Sequence, residues 1–237
     1  MNGNYRTEYY LSRKSELLER FNNTSQDWKS ILAHQYGDEN ADVILNDACL
    51  AYEKLLPIIP YIGGDGNHMT EHLITAAECL AFYKSMKANV KPAEETGKIL
   101  YDAILLRGHI PEPPIPHSRM LSEDELIERR KRRAQDSQER KYSGDWVYEF
   151  VQGDGEAFDY GYDFSECGTQ KFYHSQGAGE FLPFYCFLDY PISRTGGYGL
   201  ERTVTLAEGL SKCDHRFKKD RKTELEWPPP FIGEKDR

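Results

Sequence analysis

The sequence lacks the patterns that mark membrane proteins and general nucleic-acid binders. No apolar run approaches the roughly 20 residues that a membrane-spanning helix needs, and the first residues carry no apolar signal segment. We therefore expect a cytoplasmic protein that has no membrane partner. The net charge of -9 leaves no excess of basic residues. It argues against a nucleic-acid partner, because such binding needs a basic face.

Cysteine is scarce and irregularly spaced. The 237 residues contain five cysteines, and none form a Cys-x-x-Cys pair. Free thiols are therefore expected rather than a disulfide framework. The His-Glu-x-x-His motif of zinc proteases and the Gly-x-Ser-x-Gly motif of serine hydrolases are also missing. The sequence thus offers no support for either of these hydrolase classes.

The sequence pattern of residues 1–142 predicts a part of the protein that is made of helices. Apolar side chains at helical spacing predict helices over 6–21 and 39–56. A short helix that ends at Tyr36 is expected between them, with Ser25 or Asp27 as its cap.

A glycine-rich loop, 61–67, leads into a helix predicted to run from His68 to about residue 88, with Asn67 as its N-cap. The loop can present backbone N–H groups to an anion, or it is simply a tight connection. A charged helix is expected over 121–141 and contains the basic run 129–133. Acidic residues on either side favour a solvent-exposed face over a phosphate or nucleic-acid patch.

Residues 143–219 predict two β-hairpins that flank two short helices. The predicted elements are strand 146–152, strand 157–164, helix 165–177, helix 180–190, strand 200–207 and strand 213–218. We therefore predict an α+β fold in which a helical N-terminal layer packs on a four-stranded antiparallel sheet. An extended tail is expected over 220–237, and the whole chain is expected to form one integrated domain.

Cys167 is the first candidate for chemistry. If Ser165 caps the first of the two helices, Cys167 lies in its first turn, where the helix dipole favours a thiolate. His174 follows near the same face, two turns away. The alternative is a small buried thiol that packs the helix on the sheet.

Asp189 and Arg202 are candidates for binding charged groups. A carboxylate at the end of an apolar helix caps the helix, binds a cation or acts as a general base. The alternative for Asp189 is a surface carboxylate near a helix end. Arg202 has the planar fork that clamps a carboxylate, although most arginines lie at the surface.

The last predicted strand suggests a metal site. Cys213 and His215 share one face of this strand, while Asp214 points away. Two ligands do not make a zinc site, so Cys186 or Glu208 would have to complete it. We therefore expect no cofactor, with zinc at Cys186, Glu208 and Cys213 as the alternative.

Three stretches of the sequence together resemble one known family. They are 59–64 with Asn67 and Thr70, 158–161 continuing to Glu166-Cys167, and 202–209 followed by Cys213-Asp214. In combination they resemble the L-2-amino-thiazoline-4-carboxylic acid hydrolases. The resemblance extends from about Tyr52 to Lys218.

The resemblance implies a hydrolase that opens a small cyclic amidine ring. In the name-giving reaction water adds at the amidine carbon, the ring C–S bond breaks, and N-carbamoyl-L-cysteine results. The implied catalytic roles fall on Cys167 as nucleophile, or on a base that activates water in its place, on Asp189 or Asp214 as partner of the protonated amidine, and on His174 or His68 as proton donor. The implied substrate-binding residues are Tyr61, Gly63, Gly64, Asn67, Thr70, Arg202 and Glu208.

A non-catalytic domain that senses a small ligand or a metal is the alternative function. The order hairpin–helix–helix–hairpin, ending in a cysteine-containing strand, is similar at the level of fold to domains of the 4-vinyl reductase type. Either function implies a small-molecule partner, and a homo-oligomer remains open.

Overall fold

Six helices make up the N-terminal part of the computed structural model, which describes residues 4–108 and 123–232. They are α1 (Asn4–Ser12), α2 (Lys14–Tyr36), α3 (Asp38–Leu55), α4 (Thr70–Ala88), α5 (Ala93–Arg107) and α6 (Glu123–Ser137). α4 is the most enclosed of them, because buried side chains follow one another around its whole circumference. Such a helix has to lie inside the protein, and the other helices cover it.

The C-terminal part contains the sheet and three short helices. Its elements are β1 (Val147–Gln152), β2 (Tyr160–Glu166), α7 (Gly168–Ser175), α8 (Leu182–Phe187), α9 (Asp189–Thr195), β3 (Tyr198–Glu201) and β4 (Cys213–Lys219). The strands form one antiparallel sheet in the order β1-β2-β4-β3. The α+β fold and the four-stranded antiparallel sheet are as the sequence predicts.

Aromatic packing joins the helical part to the sheet part. The Tyr83 ring on α4 stacks on Phe181 with centroids 4.6 Å apart. The buried Tyr173 hydroxyl on α7 donates to the Ala76 carbonyl on α4 at 2.9 Å. The buried apolar side chains of both parts belong to a single cluster, so one core supports the two parts.

Two predicted boundaries in the helical part are wrong. Ser25 does not cap a second helix: it is buried inside the continuous helix α2, where its hydroxyl donates to the Asn22 carbonyl at 3.0 Å. Asn67 is not the N-cap of α4, since Met69 holds that position. The Asn67 Oδ1 nevertheless accepts the Met69 N–H at 2.9 Å, so it closes the turn before the helix.

The segment after β2 also differs from its prediction. β2 continues to Glu166, so Cys167 itself becomes the N-cap of α7, and Ser165 stays in the strand. The helix predicted over 180–190 is two helices, α8 and α9. Pro191 does not end a helix but sits third in α9, where no backbone N–H is needed for an intrahelical bond.

The strand predicted over 200–207 is shorter than expected. β3 ends at Glu201, and a 3-10 turn forms at Leu206–Glu208. The reason is a carboxylate: Asp214 Oδ1 accepts the N–H groups of Thr203 and Val204, both at 2.8 Å. These donors are therefore withdrawn from strand pairing.

The charged helix and the tail are described only in part. α6 occupies 123–137 of the predicted 121–141, whose first two residues lie outside the described ranges. In the tail, Thr223 is buried, and the Trp227 ring lies 5.6 Å from that of Tyr101. Of the helices that the structure describes, none is long and apolar enough to cross a membrane.

Candidate active site

A cavity of about 360 Å³ lies between one face of the sheet and the helices. Alternation along β2 and β4 directs every second side chain toward it. Aromatic rings make up much of its wall, and the chemistry-bearing side chains come from six separate segments. Its lining includes His68, His72, Arg133, Tyr148, Tyr162, Cys167, Tyr185, Cys186, Asp189, Arg202, Cys213 and His215.

Asp189 is held by one oxygen of its carboxylate. Arg202 Nη1 donates to Oδ2 at 2.9 Å, and His215 Nε2 lies 3.3 Å from the same atom. Oδ1 has no hydrogen-bond partner within the described ranges. The side chain keeps 44% of its surface accessible because it faces the cavity, which is partly open to solvent. The carboxylate therefore offers one free oxygen to a ligand.

The charge of Asp189 is secured by its neighbours. Burial opposes its ionisation, but the hydrogen bond from His215 and the charge of Arg202 outweigh burial and hold the pKa of Asp189 below its usual value. Asp189 is thus an anion at neutral pH. An enclosed anion is suited to hold a cationic group of a ligand.

Arg202 is fixed by the loop that carries it. Asp214 accepts the Thr203 hydroxyl at 2.7 Å, in addition to the two backbone N–H groups that end β3. Arg202 Nη2 donates to the Cys186 carbonyl at 3.1 Å. The arginine side chain is only 4% exposed. Asp214 therefore positions Arg202 from behind and does not line the cavity.

Two polar nitrogens near Asp189 are buried without partners. They are His215 Nδ1 and Arg202 Nε. In the contact with Asp189, His215 Nε2 is the donor, because a carboxylate oxygen accepts. Buried polar atoms are rarely left unsatisfied, so both atoms are candidates for contact with a bound molecule or an ordered water.

His68 and His72 bring two uncharged imidazoles to the cavity. Burial, together with the nearby Arg133 charge, lowers the pKa of His68 to about 4. Its Nε2 lies 3.1 Å from the Tyr148 hydroxyl. Desolvation by the surrounding protein also lowers the pKa of His72, although the side chain stays exposed where it lines the cavity. This ring has no hydrogen-bond partner among the described residues. A neutral imidazole with a free nitrogen can accept a proton from water.

Three thiols line the same cavity. Burial raises the pKa of Cys167 to about 11, despite the hydrogen bond that its Sγ accepts from Gln170 N–H at 3.4 Å. Burial likewise raises the pKa of Cys186 and of Cys213. The direction for Cys167 is opposite to the thiolate expected at a helix start. A helix of eight residues does not offset the loss of water around the sulfur.

The alternative zinc ligands do not come together. Glu208 is exposed and lines a second, smaller cavity of about 190 Å³ behind Arg202. Cys213 faces the first cavity and accepts the Leu206 N–H at 3.1 Å. Within 4–108 and 123–232, no group of three His, Cys, Asp or Glu side chains is placed to hold a metal ion.

The glycine-rich loop lies outside the cavity. Two side chains bind its carbonyls: Thr70 Oγ1 donates to the Gly64 carbonyl at 2.7 Å, and Asn67 Nδ2 donates to the Ile62 carbonyl at 2.7 Å. Tyr61 packs its ring against those of Tyr9 and Tyr142. Gly63 and Asn67 line a neighbouring cavity of about 680 Å³, which shares a wall with the first at residues 68, 69, 133, 146 and 148.

His174 does not lie where its predicted role as proton donor requires. Its side chain is exposed at the end of α7 and does not line the cavity. Of the predicted catalytic residues, the structure brings together Cys167, Asp189 and His68, and it adds Arg202 from the predicted substrate-binding set. It leaves His174, Asp214, Glu208 and the loop residues elsewhere.

The match to a family model covers the same residues that build the cavity. Residues 68–217 match the model of L-2-amino-thiazoline-4-carboxylic acid hydrolase. The chain belongs to this family. The match spans more than half of the chain, and the lining of the cavity lies within it, from His68 to Phe217. The family name implies a hydrolase. Neither the curated proteins nor the solved structures that were compared with the chain gave a match.

Sequence reasoning missed His72 and Arg133, and it treated His215 only as a metal ligand. A signal for the histidines was available. His68 and His72 lie four residues apart where α4 begins, which places both near one face. Strand alternation puts His215 beside Cys213. No local pattern predicted that Arg133 lines a cavity, because the basic run 129–133 as a whole indicates a solvent-exposed helical face.

Proposed function

We propose that the protein hydrolyses a small cyclic amidine, of which 2-amino-thiazoline-4-carboxylate is the type. Water adds to the amidine carbon, the ring C–S bond breaks, and the product is an N-carbamoyl amino acid with a free thiol. The observation that carries this proposal is the carboxylate of Asp189, which is ionised, lines the cavity and is fixed by one oxygen while the other is free. Family membership supports the reaction class.

Asp189 recognises the amidine in this proposal. Its free Oδ1 accepts an N–H of the protonated amidine, and its negative charge stabilises the cation. Protonation draws electron density from the amidine carbon and makes that carbon electrophilic. Arg202 and His215 hold the carboxylate so that it does not have to rotate or become desolvated during the reaction.

His72 activates the water. Its neutral ring takes one proton as the water oxygen attacks the amidine carbon. A tetrahedral intermediate forms, the electron pair of the C–S bond leaves with the sulfur, and the sulfur receives a proton from the His72 imidazolium. As the carbamoyl C=O forms, the hydroxyl proton of the intermediate is released to solvent, so the protonated amidine yields a neutral carbamoyl group. One water is consumed, and no oxidant or reductant is needed. Cys167, with its raised pKa, stays a protonated thiol in the cavity wall.

Ring opening is tested directly with L-2-amino-thiazoline-4-carboxylate. We expect a product that is heavier by one water and one titratable thiol per turnover. His72→Asn should lower the turnover rate by about 100-fold or more, within the range for losing a general base, while calorimetry shows retained binding. His34→Asn changes an exposed histidine on α2 and serves as the matched control.

Three outcomes separate the possibilities. No product from the wild-type protein would overturn the proposed function. Binding without product would favour the ligand-binding alternative. Full turnover by His72→Asn would leave the hydrolase in place and remove His72 as the base.

A further inference from the structure

Arg133 belongs to the basic run on α6, which the sequence assigns to a solvent-exposed face. The structure divides that run. Arg129 and Arg132 are exposed, whereas Arg130 and Arg133 lie on the side of the helix nearer the sheet and are half-buried. Arg133 lines the cavity of the candidate site and also the neighbouring larger cavity. It therefore stands at the wall that the two cavities share.

The other half-buried cations of the run have partners. The Arg130 guanidinium lies 4.1 Å from the centre of the Tyr160 ring. Lys131 donates to Glu128 on the same helix at 2.9 Å. Arg133 has no hydrogen-bond acceptor and no ion-pair partner in the part of the chain that the structure describes. A guanidinium brings five N–H donors, and those of Arg133 are available to a ligand in the cavity.

The charges around the cavity leave Arg133 unbalanced. Arg202 and Asp189 neutralise each other across 2.9 Å. His68 and His72 are uncharged at neutral pH, and the thiols are protonated. Arg133 is the arginine of this lining that has no carboxylate within ion-pair distance in the described ranges. Among the described residues, the cavity thus offers a free anionic oxygen at Asp189 and an unpaired guanidinium at Arg133.

We propose that Arg133 binds the carboxylate of the substrate and thereby restricts the enzyme to amidines that carry an anionic group. This rests on the proposed function, for which it names the substrate class. The planar fork of arginine matches a carboxylate through two parallel hydrogen bonds. The amidine end then pairs with Asp189. Residues 61–67 of the glycine-rich loop do not line the cavity that holds Asp189, so they do not compete for the carboxylate there.

A pair of ligands isolates the contribution of the carboxylate. The first is L-2-amino-thiazoline-4-carboxylate, and the second is 2-amino-2-thiazoline, which has the same ring without the acid. Binding of both is measured by calorimetry with the wild-type protein, Arg133→Met, Arg133→Lys and the control Arg132→Met. Arg132 lies next to Arg133 on α6 and is exposed, and its replacement by methionine removes the same charge. The KM and kcat for the acid are measured alongside.

We expect Arg133→Met to weaken binding of the acid by about 10- to 100-fold, the range for losing hydrogen bonds between charged groups. Binding of the neutral ring should change by less than about threefold, and the loss in kcat/KM should appear mainly in KM. Arg133→Lys should recover part of the affinity, since it restores the charge without the fork. Arg132→Met should behave as the wild type.

The inference is overturned if the wild type does not prefer the acid, or if Arg133→Met weakens both ligands equally or neither. Arg133-dependent binding of the acid without ring opening would remove the proposed function and keep this inference. Ring opening by the wild type, together with unchanged binding of the acid by Arg133→Met, would keep the proposed function and remove this inference.

Discussion

Asp189 and Glu78 are two enclosed carboxyl groups that each face an arginine, one in the sheet part and one in the helical part. Arg202 Nη1 donates directly to Asp189 at 2.9 Å, and His215 adds a second contact. Arg20 Nε comes within 3.1 Å of Glu78 Oε1, yet that oxygen accepts no hydrogen bond. The Arg20 guanidinium is directed instead to Glu71 and, at 2.7 Å, to the hydroxyl of Thr75.

The pKa values of the two carboxyl groups are therefore shifted in opposite directions. Burial raises the pKa of Glu78 to about 7, and the Arg20 charge only partly opposes that shift. The pKa of Asp189 lies below its usual value, because the hydrogen bond and the charge beside it exceed the effect of burial. A nearby opposite charge is thus not sufficient to keep a buried carboxyl group ionised. Hydrogen-bond donors directed at the carboxylate oxygen decide whether the ionised or the protonated form is stable. Only the cavity carboxylate is ready to bind a cation at neutral pH.

The largest expected effect is the loss of activity in Asp189→Asn. Removing the charge that holds the amidinium should lower kcat/KM by about 100- to 1000-fold, the size of effect seen when one group that stabilises charge in a reaction is removed. Glu78→Gln, at the other carboxyl group, should stay within about threefold. Steady-state kinetics with the amidine acid measures both. Equal losses of kcat/KM in the two variants would mean that the different pKa shifts of Asp189 and Glu78 have no bearing on activity.

The next effect is on stability and concerns Glu78. Its folded pKa of about 7 exceeds the unfolded value of roughly 4.3, so the folded protein binds more protons between these values. The free energy of unfolding should therefore fall as pH rises from about 4 to 7 and then level off, by a total on the order of 3 kcal/mol. Asp189 adds no pH dependence above its unfolded pKa, because it is ionised in both states there.

Urea unfolding at several pH values measures this contribution as the difference between the wild type and Glu78→Gln, which cancels the titration of other groups. The difference should change across pH 5 to 7 and be constant above about pH 8. Glu53→Gln, at a surface pair with Lys14, is the control and should show no such change. A difference independent of pH would show that Glu78 is ionised in the folded protein throughout.

Asn67 tests the contrast between the glycine-rich loop and the cavity. Its side chain accepts the Met69 N–H and donates to the Ile62 carbonyl and to Asp145. We expect Asn67→Ala to destabilise the protein by about 1 to 3 kcal/mol through these lost bonds, with KM changed by less than about threefold. Thermal unfolding and kinetics are measured on the same samples. A large rise in KM at unchanged stability would instead make the loop part of the binding site.

The smallest effect is expected for Cys167→Ala. One backbone N–H is too little to stabilise a thiolate against burial, so the same balance that protonates Glu78 keeps this thiol neutral. Activity should stay within about tenfold, as for a residue of the cavity wall. Cys79→Ala, at a buried thiol inside α4, is the control for packing loss. Loss of all turnover with a folded Cys167→Ala would establish covalent catalysis by this cysteine.

Local patterns were enough for much of the fold. The strands predicted over 146–152 and 157–164 are neighbours in the sequence, and they pair as the predicted hairpin. Errors arose where a distant group intervened. Asp214 takes the N–H groups of Thr203 and Val204 and ends β3, and the extension of β2 moves the start of α7 to Gly168.

The sequence by itself determined the α+β class, the four antiparallel strands and the family, because helical and strand periods and family motifs are written in neighbouring residues. It also marked Cys167, Asp189 and Arg202 as candidates. Only the tertiary structure decided that Asp189 meets Arg202 and His215, and that His72 and Arg133 face the same cavity. These side chains come from segments far apart in the chain, and their charge states depend on burial and on aimed donors, which no local pattern records.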